Sequence, residues 1–495
     1  MTRLILGPFN RVEGDLEVQL EVADGRVREA RVSAPMYRGF EVMLVGRDPM
    51  DALTIAPRIC GICSVSQSVA AARALADASG VVMPPNGLRA INLMLACENL
   101  ADHLTHFYVF FMPDFTRQVY AGRHWFGEAC RRFGSVVGSA PGSGVHNRAA
   151  LAARGRWLEL MGALGGKWPH TGAVLPGGSS RAIESTERVH LLARLREMRS
   201  FLETTLFGSA LEEVAELRNL SALQDWRARA RGSDLALFLD MADDAGLASL
   251  GRGPGRYLSY GAYPQSDGGH ALGQGVWDAG QQQRRALDAS QISEDMRHAW
   301  FDEGEGGQPL HPLAGLTQPR LDKPGAYTWN KAPRLSGQVV ETGAIARQLV
   351  DGQALICAAV SGQGGTVYTR VLARLVELAR LLPMMEQWLM ALQPGEPFHQ
   401  VQALPVQAQG IGLTEAARGA LGHWLRIENG RIAHYQIVAP TSWNFSPRDA
   451  AGAPGALEAA LVGAPLDNAG AGQGQSVAVQ HIVRSFDPCM VCTVH

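Results

Sequence analysis

PRICGICSVSQSVAAARALADAS, residues 57–79, sets two cysteines three positions apart at the head of a run rich in alanine and serine. Alanine is the best helix former and the run ends at Gly80, so the sequence predicts a helix over 64–79. Cys60 and Cys63 then stand at its mouth, where their spacing lets two thiolates converge on one metal without strain. Gln67 lies one helical turn beyond the second cysteine. Its amide can donate to a metal-bound sulfur there but cannot gain a proton.

A second pair, Cys489 and Cys492, lies in SFDPCMVCTVH at the other end of the chain, with His495 as the last residue given. Two such pairs make a four-sulfur site if the fold closes almost the whole chain upon itself. Compact zinc ribbons place their pairs roughly 15–20 residues apart, which is not the case here. On pattern alone, structural zinc, a redox or Fe–S site, and coincidence all stay open. Cys97, Cys130 and Cys357 are isolated among apolar neighbours and read as buried, inert thiols.

Around these motifs the chain of 495 residues is 46% hydrophobic, with 45 basic against 47 acidic residues. That balance gives no sign of nucleic acid or of a membrane surface. Every aliphatic stretch is broken by charge, Gly or Pro, and MTRLILGPFNRVEGD turns polar too early for a secretory signal, so the expectation is a cytoplasmic protein without membrane insertion. Apolar and polar residues alternate in DLEVQLEVADGRVREARVSA (15–34) around Asp24-Gly25, a hairpin signal. Residues 86–111 place apolar side chains at helical spacing until Pro113, and 184–219 and 366–392 read as further long helices. Segments near 266–275 and 303–325, and the stretch 451–475, read as Gly-rich loops, and no internal repeat is found. The expected class is α+β, predominantly helical, in one unit over 1–495. It comprises a β-rich part (1–56), a mainly helical body (57–450) and a C-terminal loop and metal-binding segment (451–495).

RICGIC and DPCMVCTVH resemble the two signature motifs of [NiFe]-hydrogenase large subunits. FNRVEGD, YRGFE, DHLTHFY, HPLAGLTQP, YTWNKAPR, EAARGALGHW and APTSWNFSPRD resemble segments of that family in the same order, so the resemblance spans the chain. It implies that fold, with the N-terminal hairpin and a long central helix bundle. By the resemblance, Cys60, Cys63, Cys489 and Cys492 hold nickel, and Cys63 and Cys492 also bridge to an iron carrying carbon monoxide and cyanide. Dihydrogen is then split heterolytically, with Cys489 the first proton acceptor, Arg418 poised above the open metal position, and Glu13 the proton gate. Arg418 also suits an iron-bound cyanide, Thr441 or Ser442 the other, and Asp102 and Asp487 fix the guanidinium. Taken alone, Glu13 reads as a strand-edge charge, and either aspartate as a cap or surface charge. His103 and His106 read as buried histidines near the site rather than as ligands. A magnesium or iron(II) ion is implied at Glu41, His495 and the carbonyl of Ile437.

Three departures resemble the regulatory, hydrogen-sensing subgroup. Gln67 replaces a histidine usual in the family, and Asp15 replaces another in R-I-E-G-H. Ile62 and Phe110 are bulkier than the usual valine and leucine, which would narrow a gas channel, although either alone reads as core packing. Related enzymes carry an extension cut after the final histidine, so a chain ending at His495 is expected either as a mature form or as a member of the subgroup made without one. A proline usual before Arg418 is Ala417 here. The resemblance implies an obligate heterodimer with an Fe–S small subunit, since four cysteines are spent on one site and each cluster needs about four more. That subgroup forms a dimer of heterodimers and passes its signal to a histidine kinase. The alternative is a respiratory uptake hydrogenase. Quinone-reducing relatives of the family lack the four cysteines present here.

Overall fold

Asp24 and Gly25 both adopt positive φ (54° and 68°), which a two-residue hairpin turn requires. In the computed structural model, which describes residues 2–134, 144–361, 364–466, 476–493 and 495, they join β2 (Glu17–Ala23) to β3 (Arg26–Ser33). β1 (Thr2–Leu6) pairs with the far edge of β2, completing an antiparallel sheet of order β1-β2-β3. The alternation of the sequence reappears as alternating burial: Val18, Leu20, Val27, Ala30 and Val32 face the core.

α1 (Ser64–Ser79) covers the predicted span and ends at Gly80 in the left-handed region. α2 (Pro85–Thr105) starts with proline in its first turn and runs into a π-helical turn, His106–Phe111, before Pro113. The single helix expected over 184–219 is instead α3 (Ser185–Phe201), a π-helical turn (Leu202–Phe207) and a short α4 (Leu211–Ala215). Gly208, at φ 65°, makes the break. α5 (Val367–Met390) is continuous despite Pro383 inside it.

Strand content exceeds the sequence expectation in the body. The stretch near 266–275 is mostly strand: β4 (Arg256–Pro264) and β5 (His270–Asp278) form a hairpin that a short β6 (Gln283–Arg285) extends. Residues 408–438, inside the part read as mainly helical, fold into β7 (Ala408–Ala416), β8 (Gly419–Glu428) and β9 (Arg431–Val438). β8 is buried on both faces, so it shows a near-continuous apolar run rather than period-two alternation. The loop expected over 451–475 contains a short helix, α6 (Ala456–Leu461), while 467–475 lie outside the described residues. A final α7 (Val477–Ser485) leads into the C-terminal cysteines. The class is α+β with helix predominating.

One packing contact positions the site. A Cβ on Gly410 would lie 2.0 Å from the Ala74 carbonyl, and one on Gly412 would lie 2.0 Å from that of Ala70. β7 therefore touches the backbone of α1, which explains why α1 is built of alanine and serine. A larger side chain on either partner would lift the helix, and its cysteine end, off the sheet.

Candidate metal centre

Cys60 follows a 3₁₀ turn (Ala56–Ile59) in extended conformation, and Cys63 is the residue that opens α1. Cys489 follows Pro488, and a 3₁₀ turn, Met490–Cys492, carries the last of the four. Their sulfurs converge: 3.4 Å from Cys60 to Cys489, 3.2 Å from Cys63 to Cys492 and 2.9 Å from Cys489 to Cys492. All four lie within 4.8 Å of one another and are buried. Such a cluster cannot ionise fully by itself. The Cys60 thiolate is favoured by S–H groups of Cys489, Cys492 and Cys63, while Cys63 is pushed up by the same sulfurs and Cys489 by burial. A soft divalent cation is what lets four adjacent thiolates coexist, so the donor set fits a thiolate-bound transition metal.

Each pair has its own support. A residue opening a helix normally caps it with its side chain, yet Cys63 makes no such bond. Glu98, on α2, does so from outside. It accepts from Val65 N (2.8 Å), Ser66 N (2.9 Å), Ser66 Oγ (2.9 Å), Ser64 Oγ (3.4 Å) and Trp168 Nε1 (3.1 Å). Burial pushes its carboxyl up to about 7, opposed by those donors. The Cys63 sulfur is thereby left free. The second pair is held by distant backbone: Glu13 N donates to Pro488 O (3.4 Å), Met490 N to Glu13 O (2.7 Å), and Cys489 N to Thr441 Oγ1 (3.2 Å). Arg38 ties the two motifs together, donating to the carbonyls of Ile59 and Val491.

Beside the sulfurs, Arg418 is buried between two aspartates. It donates to Asp102 Oδ2 at 2.7 Å, to Asp487 Oδ1 at 3.1 Å, and through Nε to the Asp487 carbonyl at 2.9 Å. Burial pushes Asp102 up to about 7 against the pull of Arg418. Burial also works against Asp487, but Arg418, His106 and Arg374 outweigh it and hold that carboxyl below its usual range. Asp102 Oδ1 and Asp487 Oδ2 have no hydrogen-bond partner among the described residues. The Glu13 side chain is half-buried. Its carboxyl is raised by burial and by Cys60, against Arg418 and Arg38.

Gln67 is fully buried, its backbone N–H on the Cys63 carbonyl (3.1 Å) and its Oε1 2.8 Å from His423 Nε2. Ile62 packs against the apolar residues around the cysteines, whereas Phe110 sits half-buried on the π-helical turn, its carbonyl accepting from Arg11. Ser442 is buried next to Thr441, and its carbonyl accepts from Asn330. His103 and His106 are buried and bonded to Glu377 (3.0 Å) and the Arg484 carbonyl (2.7 Å). Of the isolated cysteines only Cys97 is buried; Cys130 and Cys357 are half-buried, a correction to the sequence reading.

The three residues expected to hold the second ion meet. His495 Nε2 is 2.5 Å from the Ile437 carbonyl and 3.9 Å from Glu41 Oε1. Glu41 also accepts from Ile437 N (2.8 Å), Gln436 (2.8 Å), Lys331 (3.0 Å) and Thr317. Burial pushes the His495 imidazole below its usual range, against Glu41 and the Ile437 carbonyl, which favours the neutral form that a ligand needs. Glu294 Oε2, 3.9 Å from Lys331 Nζ, and Gln436 Oε1 are buried acceptors that receive no hydrogen bond among the described residues, and they suit water on a hard cation. Sequence reasoning missed Glu98, Arg38, Lys331, Glu294 and His423. A lone carboxylate one turn before Asp102 in an apolar helix was the available signal for Glu98.

The chain matches a family model described as nickel-dependent hydrogenase over residues 38–124 and 145–495. It is 31% identical to the large subunit of the periplasmic [NiFeSe] hydrogenase of Desulfomicrobium baculatum, and 26% identical to the uptake hydrogenase large subunit of Rhodobacter capsulatus. Each alignment covers all of this chain and 95% of the relative. The reduced Ni-Fe-Se hydrogenase of D. vulgaris Hildenborough superposes with a TM-score of 0.83 at 30% identity, over the whole of both chains.

Proposed function

The chain belongs to the nickel-dependent hydrogenases, and from that premise we propose that it is the large subunit of a hydrogen-sensing member of the family. It is an oxidoreductase that oxidises dihydrogen at a nickel–iron centre. Cys60, Cys63, Cys489 and Cys492 would hold the nickel and the iron as thiolates, and carbon monoxide and cyanide would complete the iron. When bound, the metals supply the electrophile that polarises dihydrogen and the store for its electrons.

The protein's part is to place charge and move a proton. Cys489 takes the proton at Sγ. Glu13, whose backbone is bonded to Pro488 and Met490 on either side of Cys489, receives it next, and its raised pKa suits an acceptor working near neutrality. Arg418, fixed by Asp102 and Asp487, presents a guanidinium whose direction is set before substrate arrives, so no reorganisation is needed during reaction. Thr441 spends its oxygen lone pair on Cys489 N and keeps its hydrogen for an acceptor on the iron, with Ser442 beside it. Glu41, Ile437 and His495 would hold magnesium or iron(II).

The observation that carries the sensing role is Gln67, an amide that cannot relay a proton one turn from a metal-binding cysteine. Ile62 and Phe110, bulkier than the valine and leucine usual at those positions, would narrow a path for gas and so support it. An Fe–S small subunit completes the enzyme as a heterodimer, since the cysteines that come together among the described residues are the four already assigned to the nickel–iron centre. A histidine kinase would receive the signal, in the cytoplasm. No helix among the described residues is long and apolar enough to cross a membrane. The second reading, an uptake enzyme, is favoured by the names of the relatives. Infrared spectroscopy of the heterodimer separates the two. Carbon monoxide and cyanide bands that pass to one reduced species under dihydrogen, at low turnover and unchanged by air, support sensing. Fast turnover, or new inactive states in air, makes it an uptake enzyme.

A further inference from the structure

We infer that Tyr435 and His423 are positioning residues that hold the Gln67 amide with its NH₂ toward the four-sulfur cluster. The inference rests on the metal centre proposed above. Tyr435, His423 and Gln67 form a buried line: Tyr435 OH lies 2.8 Å from His423 Nδ1, and His423 Nε2 lies 2.8 Å from Gln67 Oε1. All three are buried, and Tyr435 belongs to the same apolar cluster as the four cysteines.

The direction of the line follows from where each hydrogen can go. Among the described residues, the Tyr435 hydroxyl has one partner, His423 Nδ1. A buried O–H without an acceptor is costly, so the hydroxyl donates and Nδ1 accepts. A ring nitrogen that accepts a hydrogen bond carries no hydrogen, so the imidazole is neutral. Its single proton therefore sits on Nε2, and Nε2–H donates to Gln67. The oxygen of the amide must face His423, and the NH₂ must face away. In this arrangement the Gln67 nitrogen has no hydrogen-bond partner among the described residues, although it is buried. The opposite orientation would set the amide N–H against the Nε2–H of His423, two donors facing each other with no acceptor between them. A tyrosine on β9 thus selects, through a histidine on β8, which end of an amide on α1 meets the sulfurs. The donor withdraws electron density from sulfur without ever supplying a proton.

The test reads the carbonyl and cyanide stretches of the loaded heterodimer, with nickel content measured alongside. Gln67→Leu removes the donor, and every band is expected at lower frequency, because the sulfur returns density that the iron passes into carbon monoxide. Tyr435→Phe, which keeps the ring, releases the tautomer. It is expected to give two sets of bands at full nickel content, one at the wild-type position and one near that of Gln67→Leu. A Tyr435→Phe spectrum identical to wild type, while Gln67→Leu is shifted, overturns the relay. An unshifted Gln67→Leu spectrum overturns the donor itself. A second measurement needs no metal signal: the ¹⁵N resonances of His423 in the wild-type heterodimer, assigned by their loss in His423→Gln. A neutral ring protonated at Nε2 is expected, and protonation at Nδ1 or at both nitrogens overturns the inference. Loss of the diatomic bands in wild type would sink the hydrogenase reading separately, since the tautomer would still be read.

Discussion

Cys60 and Cys63 reach the centre from the end of a helix, whereas Cys489 and Cys492 reach it from a loop stitched to the N-terminal segment. The helix end has donors whose directions are fixed by the backbone, and Glu98 satisfies them from the neighbouring helix so that the Cys63 sulfur stays unspent. The loop has no such internal frame. Its geometry depends on Glu13, Thr441 and Arg38, which come from three distant parts of the chain. Arg38 touches both pairs, but the first owes its helix end to one buried carboxylate, while the second hangs on several separate ties. Damage to the first should therefore be concentrated, and damage to the second spread out.

The largest effect expected is common to both pairs. Cys63→Ala or Cys492→Ala should abolish dihydrogen oxidation and nickel binding together, read by dye reduction and elemental analysis; nickel retained at wild-type level in either would refute a four-sulfur site. Next comes the asymmetry. Glu98→Ala orphans several buried donors and should cost about 3 kcal/mol of stability. Thr441→Val removes one bond to Cys489 N and should cost about 1 kcal/mol. Denaturation of the two variants side by side measures both, and equal losses would erase the contrast drawn above. The smallest effect is in pH dependence. Only the carboxylate form of Glu13 accepts a proton, and its pKa is raised, so proton exchange with D₂ should fail as pH falls through that raised value, closer to neutrality than an ordinary glutamate would allow. Glu13→Gln should remove this acid limb along with most of the exchange; an unchanged limb would assign it to another group.

Much of this was legible in the sequence where the signal is local. The Asp24-Gly25 turn, the α1 span closed by Gly80 and the C-x-x-C spacing each depend on neighbours within a turn or two. The sheet of β7 to β9 was not legible, because a strand buried on both faces loses its alternation. The break at Gly208 was hidden by apolar spacing that continues beyond it. At the centre, residue types announced the sulfurs, while Glu98 acts through contacts 32 to 70 positions away and Arg38 and His423 through contacts several hundred positions away, none of which local spacing reveals. Arg418 with its two aspartates was read through resemblance; spacing alone would not have joined positions 102, 418 and 487.

Cys60 and Cys489 are separated by 429 positions, as are Cys63 and Cys492. A metal held by all four is a buckle on a belt nearly as long as the chain. Closing a loop of that length costs about 5 kcal/mol of entropy, comparable to the whole stability of many domains. The buckle cannot fasten until the last cysteine has been synthesised and its strap, the Glu13 segment, lies alongside. Metal retention is thus a checkpoint on completeness: a chain truncated before its last cysteine can fold locally, but it cannot hold the cargo.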